Sequence, residues 1–248
     1  MIPVEARPHR HWRMPWRVPL AVFGLLIWLG AGPAWAQACL PVAPDAAALV
    51  PAERDDRPSA RVQTEARLAE LRRGSAPTLL VGDSIFARWI GAEADLGLPV
   101  TRFAVGGDRT EHVLDRLNRA APPAGQVRQV ILLIGTNNLR RDDGCTIGQA
   151  VAAILNRLRT LFPGARLVVV SILPRAPWDR AQRPGIARAN ALIEQEAKAV
   201  GARYVDAHTR MMAACAAAPS CSLFHDGLHP GPEGYAMMAA AIRPELAR

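Results

Sequence analysis

Short, nearly uninterrupted apolar runs recur along the chain, each followed by small polar residues and then by an amphipathic stretch. The runs are Thr78 to Val81, Val100 to Val105, Val130 to Ile134, Leu167 to Val170, and Tyr204 with Val205. Runs this brief and this rich in Val, Ile and Leu predict strands covered on both faces, as in a parallel sheet. Between them the apolar residues recur at helical spacing. Val113, Leu114 and Leu117 share one face of a helix opened by Thr110; Ile147, Val151, Ile154, Leu155 and Leu158 line a helix capped by Thr146. Further helices are predicted from a Ser59 cap to Arg73, ended by Gly74, and over 186–200 and 232–246. Strictly alternating strands and helices imply a three-layer α/β/α domain with right-handed crossovers. In such sheets the chemistry gathers at the carboxyl ends of the strands, near the point where strand order reverses.

The stretch before this pattern reads as an address. Arg7, Arg10, Arg13 and Arg17 precede an apolar run from Val18 to Leu29, and Ala34-Trp35-Ala36 offers the small residues a signal peptidase reads. Residues 1–36 are expected to be a signal peptide cleaved after Ala36, followed by an irregular lead-in, 37–58, and a folded domain, 59–248, with a periplasmic or secreted destination. The run is short for a membrane span, so no stable membrane anchor is expected after cleavage. Loss of four Arg and one Glu with this segment lowers the formal charge of +8 by three. Lys198 is the only lysine, and the remaining basic excess is arginine scattered along helices, the pattern of a solvated surface rather than of a nucleic-acid footprint.

All four cysteines, Cys39, Cys145, Cys215 and Cys221, follow the leader. In an oxidising compartment an even count predicts two disulfides, with three possible connectivities. Nearness favours Cys215 with Cys221, which leaves Cys39 to pin the N-terminal segment to Cys145. The spacings are not those of a metal site, and the histidines do not cluster with the cysteines, so no metal and no cofactor is expected.

Three small-polar motifs end three successive strands. Gly82-Asp83-Ser84 follows the first, Gly106-Gly107-Asp108 the second and Gly135-Thr136-Asn137-Asn138 the third; Asp226 and His229 stand one helical turn apart near the C-terminus. Each alone has an ordinary explanation: a helix cap, a tight turn, an asparagine bracing its own loop. Together they supply what nucleophilic acyl transfer needs. Ser84 is the candidate nucleophile, His229 its base, and Asp226 the carboxylate that orients the imidazole. The Ser84 and Gly107 amides and the Asn137 side chain are the candidate donors to an oxyanion.

These blocks, with Ile85 after Ser84 and Pro230 after His229, resemble those of the SGNH hydrolases, the GDSL-type esterase/lipase family, over about residues 78–241. Within that family, Ala104 to Asp108, Thr110 to Leu114 and Ile172-Leu173-Pro174-Arg175 look most like platelet-activating-factor acetylhydrolase catalytic subunits. The resemblance implies a flavodoxin-like sheet of order 2-1-3-4-5, a metal-free esterase, and the same triad and oxyanion residues. Two positions depart from the pattern. Ile85 replaces a leucine, and Arg109 stands where a small residue is usual, either altering the pocket rim or pairing with a nearby acid.

The expected substrate is a small-molecule, carbohydrate or lipid ester, with short acyl groups such as acetyl favoured because no long apolar lid is visible. Trp178, in the loop after the fourth strand, either lines the site or packs its own loop. A thioesterase or lysophospholipase on the same triad and a non-catalytic carbohydrate-binding module are the alternative readings. A nucleotide-binding flavodoxin-like protein is disfavoured because a loop carrying Asp83 would repel phosphate. Oligomeric state is not legible.

Overall fold

In the computed structural model the described residues are 39–54, 56–123, 125–176, 183–215 and 221–246. The leader with its cleavage point, and Trp178, lie outside them. Helix α1 (Pro58–Arg73) leads into strand β1 (Thr78–Gly82); short helices α2 (Ser84–Ala87) and α3 (Ala92–Leu96) precede β2 (Val100–Ala104) and α4 (Thr110–Asn118). Strand β3 (Gln129–Leu133) runs into a single 3-10 turn, Asn138–Arg140, and α5 (Gly144–Leu161); β4 (Arg166–Val170), α6 (Arg183–Ala199), β5 (Arg203–Val205), α7 (Ala207–Cys215) and α8 (Pro232–Leu246) complete the order. The five strands form one sheet in the order β2-β1-β3-β4-β5, every neighbour parallel, as the resemblance implies.

Period-two alternation divides the strand side chains between two cores. Leu79, Val81, Val130, Leu132, Leu167 and Val169 face one layer, packed by α1, α4, α5 and α6. Leu80, Ile131, Leu133, Val168 and Val170 face the other, packed by α2, α3, α7 and α8. Both faces are buried, which is why the strands read as continuous apolar runs. The stripe of Ile147, Val151, Ile154, Leu155 and Leu158 is buried on α5 as predicted.

Two caps differ from the prediction. Ser59 lies inside α1, whose N-cap is Arg57 with no side-chain bond; Pro58 at the first turn starts this helix by its fixed backbone angle. Helix α5 begins two residues before Thr146, because Asp143 is the cap and accepts the Thr146 backbone N–H at 2.8 Å. Asp at an N-cap holds an orphan amide as well as threonine does, and sequence order alone did not discriminate between them.

Cys39 is bonded to Cys145 and Cys215 to Cys221, the pairing favoured by nearness. Before Pro58 the described residues of the lead-in form no strand or helix. The lead-in is tied to α5 by the disulfide and by Gln149, which accepts the Val42 N–H at 2.8 Å and donates to the Leu40 carbonyl at 2.7 Å. From there it runs across the molecule, so that Arg54 ends beneath Gly107. Among the described residues no helix is long and apolar enough to cross a membrane.

The two bridges close loops of very different size, with sequence separations of 106 and 6. Chain entropy gives upper bounds of about 5 and about 2 kcal/mol for them. Cys39→Ala with Cys145→Ala should therefore lower the urea midpoint more than Cys215→Ala with Cys221→Ala, as equilibrium unfolding would measure; the reverse order would show that the short bridge holds more than its own loop.

Candidate active site

Gly82 is the last residue of β1, and a side chain there would drive into the Leu133 carbonyl, its Cβ only 2.1 Å away. Glycine thus lets β1 and β3 approach closely while the chain turns sharply into α2. Asp83 caps that helix by accepting the Ile85 N–H at 2.9 Å, leaving Ser84 as its first residue. The cap and the candidate nucleophile are adjacent parts of one turn, so the ordinary reading of this motif as a helix cap holds and leaves room for the functional one. Tyr235 on α8 donates to the Ile85 carbonyl at 2.8 Å and ties α2 to the last helix.

The C-terminal motif is wrapped around its own carboxylate. Asp226 Oδ1 accepts the N–H groups of His229 at 2.9 Å and Leu228 at 3.1 Å, while Oδ2 lies 2.7 Å from His229 Nδ1. These bonds, the His229 amide first and its ring second, hold the Asp226 carboxyl well below the usual carboxylate range although it is exposed. On the far side of the ring, His229 Nε2 is 2.9 Å from Ser84 Oγ. A bond from the Ala176 N–H to the Gly227 carbonyl, 2.6 Å, fastens this loop to the segment after β4. Serine, imidazole and carboxylate, 145 and three residues apart in sequence, therefore stand in one hydrogen-bonded line.

Gly107 follows β2 with φ +79, a left-handed conformation, and a Cβ there would meet the Arg54 guanidinium at 2.9 Å. Asn137 follows β3 and donates through Nδ2 to the Asp108 carbonyl at 2.8 Å, which ties the second motif to the third. An amide nitrogen carries two hydrogens, so one remains for another acceptor. Ser84, Gly107, Asn137 and His229 all line one cleft of about 630 Å³, and Asp226 backs His229. Every predicted site residue is thus in one place.

Several residues at the site were not singled out from sequence. Arg54 donates to the Gly106 carbonyl at 2.7 Å and reaches Asp108 Oδ1 at 3.3 Å. Arg116 pairs with Asp108 and donates to the carbonyls of Gly82 at 3.2 Å and Phe103 at 3.3 Å. Asn138 accepts the Thr110 N–H and donates to Asp142, locking the turn after β3 onto α4. The Asp-Arg spacing of Asp108 and Arg116 was a readable signal; for Arg54 there was none. Arg109 fulfils both of its alternatives, lining the cleft and pairing with Glu111 at 2.9 Å. Among the described residues no group of His, Cys, Asp and Glu is arranged to hold a metal ion.

The description GDSL-like Lipase/Acylhydrolase family belongs to a family model that matches residues 80–237. The chain is 28% identical over 130 residues to the platelet-activating factor acetylhydrolase IB subunit beta homolog of Drosophila melanogaster, covering 51% of this chain and 57% of that one. It is 32% identical over 111 residues to the alpha1 subunit of Rattus norvegicus, covering 45% and 46%. The chain thus spans about half the length of the curated relatives it matches. Two solved structures share the fold. One is a member of the lipolytic protein G-D-S-L family from Veillonella parvula, with TM-score 0.60, 16% identity and coverage of 69% and 98%. The other is the acetylxylan esterase Axe2 from Geobacillus stearothermophilus, with TM-score 0.57, 17% identity and coverage of 71% and 96%.

Asp83 does not face the cleft as the sequence reading assumed. It is fully buried, its Oδ2 finds no hydrogen-bond partner among the described residues, and burial pushes its carboxyl up to about 7. An unfolded aspartate titrates near ~3.9, so between about pH 4 and pH 7 the folded state keeps a proton that the unfolded chain has released. This group's contribution to stability is therefore greatest below pH ~4, falls as pH rises across that window, and is level above it. Asp83→Asn should remove that slope: urea unfolding at pH 5 and pH 8 is expected to show wild type losing more stability than the variant. Equal losses would mean that Asp83 is ionised in the folded protein at pH 5.

Proposed function

The chain belongs to the GDSL-like lipase/acylhydrolase family, the SGNH hydrolases, and from that premise we propose that it is an exported serine esterase acting on short-chain, chiefly acetyl, carboxylic esters. The observation that carries this reading is the unbroken line from Asp226 through His229 to Ser84, at 2.7 and 2.9 Å. An alcohol is a poor nucleophile until a base removes its proton, and an imidazole serves as that base when a carboxylate fixes its tautomer.

His229 takes the Ser84 proton as Oγ attacks the ester carbonyl. The tetrahedral oxyanion forms against the Ser84 and Gly107 amides and the unused Asn137 N–H, donors already fixed before reaction, each worth on the order of 10²–10³ in turnover. Collapse breaks the ester C–O bond, and the alcohol leaves with the proton from His229. Water then attacks the acyl-serine, giving its proton to the same histidine, which returns it to Ser84 Oγ as the acyl C–O bond breaks and the acid leaves.

A short acyl group is favoured by the walls of the cleft. Apart from glycine, its described apolar lining is limited to Ala60, Ala87 and Leu228. Each methylene of a longer chain gains about 0.8 kcal/mol only where an apolar wall receives it. The names of the relatives, an acetylhydrolase subunit and an acetylxylan esterase, are in keeping with an acetyl substrate.

Export is supported by the two disulfides, which persist in oxidising compartments, and by the basic and apolar leader. The mature protein recovered from a Gram-negative periplasm or the medium should read Gln37 first on N-terminal sequencing; a chain that retains residues 1–36 would refute cleavage after Ala36.

The esterase reading is tested with p-nitrophenyl esters from acetate to palmitate. Wild type should be fastest on the shortest acyl groups, and kcat/KM should fall steadily with chain length. Ser84→Ala should abolish turnover and fluorophosphonate labelling, and Asp226→Asn should lower kcat by about 10⁴-fold. Labelling that survives Ser84→Ala would place the nucleophile elsewhere.

A further inference from the structure

Arginines that look scattered in sequence converge in space. Arg54, Arg57, Arg88, Arg109, Arg140 and Arg175 all line the cleft that holds Ser84 and His229, and Asp56 is the one carboxylate among its described lining residues. Two of the six are neutralised within the protein: Arg54 on Asp56 at 2.7 Å and Asp108 at 3.3 Å, Arg109 on Glu111 at 2.9 Å. The other four come from separate segments: the entry to α1, the end of α2, the turn after β3 and the loop after β4. None of these four forms an ion pair with a carboxylate of the described residues.

Arg140 and Arg175 are the most telling. Acids do stand near the turn after β3, but the next residue takes them: Arg141 holds Glu111 at 2.9 Å and Asp142 at 2.8 Å. Arg140 is left exposed toward the cleft. Arg175 is half-buried, anchored by one bond from Nη1 to the Thr136 carbonyl at 2.9 Å, and its buried Nε has no partner among the described residues. Burial, and next the positive charge of Arg140, make the Arg175 guanidinium easier to deprotonate than usual; the acid whose field reaches it, Asp83, is itself fully buried. Two like charges facing one cavity with no acid of the described residues between them is an unfavourable arrangement that a bound anion would relieve. A guanidinium also matches carboxylate and phosphate oxygens two at a time, which gives orientation as well as attraction.

We propose that the cleft selects esters that carry an anionic group, a carboxylate or a phosphate, held by Arg140 and Arg175, with Arg57 and Arg88 adding longer-range attraction. This deepens the esterase reading and rests on it. The anionic group takes no part in the bond changes: the acyl group passes to Ser84 and then to water, the alcohol leaves protonated, and the anion keeps its charge throughout. Its place is to fix the ester carbonyl against the oxyanion donors.

Four matched acetate esters test this: phenyl acetate, para-acetoxybenzoate, para-acetoxyphenyl phosphate and the para-acetoxyphenyl trimethylammonium cation. Each kcat/KM is divided by that ester's own hydroxide-catalysed rate, which removes the effect of leaving-group acidity. The anionic esters should exceed the neutral one by about 10- to 100-fold, the range of one or two charge-assisted hydrogen bonds, and the cation should fall below it. The advantage should shrink in ~1 M salt, where screening acts over about 3 Å. Arg140→Gln, at an exposed position, and Arg175→Gln should each lower the anionic-to-neutral ratio, and the two anionic arms tell carboxylate from phosphate. Equal normalised rates for anionic and neutral esters in wild type, or ratios unchanged in both variants, would overturn this inference while leaving the esterase reading intact. No turnover of any ester, together with no fluorophosphonate label, would overturn both.

Discussion

Asp108 and Arg116 form an ion pair that is wholly removed from water, and the geometry of the site hangs on it. An isolated charge in such a place would be prohibitive, and deleting one partner of a buried pair typically destabilises by about 3–5 kcal/mol. The pair is tolerable because both terminal nitrogens of Arg116 are engaged, one on Asp108 and one on backbone carbonyls. Arg116 spans the carbonyls of Gly82 and Phe103, at the ends of the two strands that deliver Ser84 and Gly107, and lies over the Phe103 ring at 5.1 Å. Asp108 draws in Arg54, which also holds the Gly106 carbonyl. The strand ends, the Gly106-Gly107 loop and the lead-in thus meet at one buried salt link. Its worth lies in fixing positions rather than in raising net stability.

Three aspartates near Ser84 show how environment sorts identical side chains. Asp83 is buried without a cation against its free oxygen and holds its proton up to about 7. Asp108 is just as buried but sits between two guanidinium groups. Asp226 is exposed, yet two backbone amides and an imidazole keep it ionised well into acid. Only the last has both a permanent charge and an open path to the histidine. Burial raises the carboxyl of Asp83, while amide and imidazole donation lowers that of Asp226.

The strands and the motifs at their ends were legible because a doubly covered parallel strand leaves an unmixed apolar run, and small polar residues then mark where it stops. Asp226 and His229 were legible from their spacing and from company with the other blocks. The short helices α2 and α3 span too few residues to show a period, and α7, rich in alanine and methionine, has no clean apolar face to read. Arg54 was illegible for another reason: its partner Gly106 is 52 residues away, and nothing local marks a lead-in that crosses to the site. The arginine cleft was hidden in the same way. Charge read along a helix says which face is wet, not which wet faces are turned toward one another.

The bond from Cys39 to Cys145 makes the first part of the domain a covalent ring, and Ser84, Gly107 and Asn137 all lie within it. Asp226 and His229 lie outside, beyond the small ring closed by Cys215 and Cys221. A single backbone cut between Cys39 and Cys145, or between Cys215 and Cys221, leaves every part of the molecule covalently joined. A cut between those rings leaves Ser84 and His229 on separate pieces, held together only by the sheet and its packing.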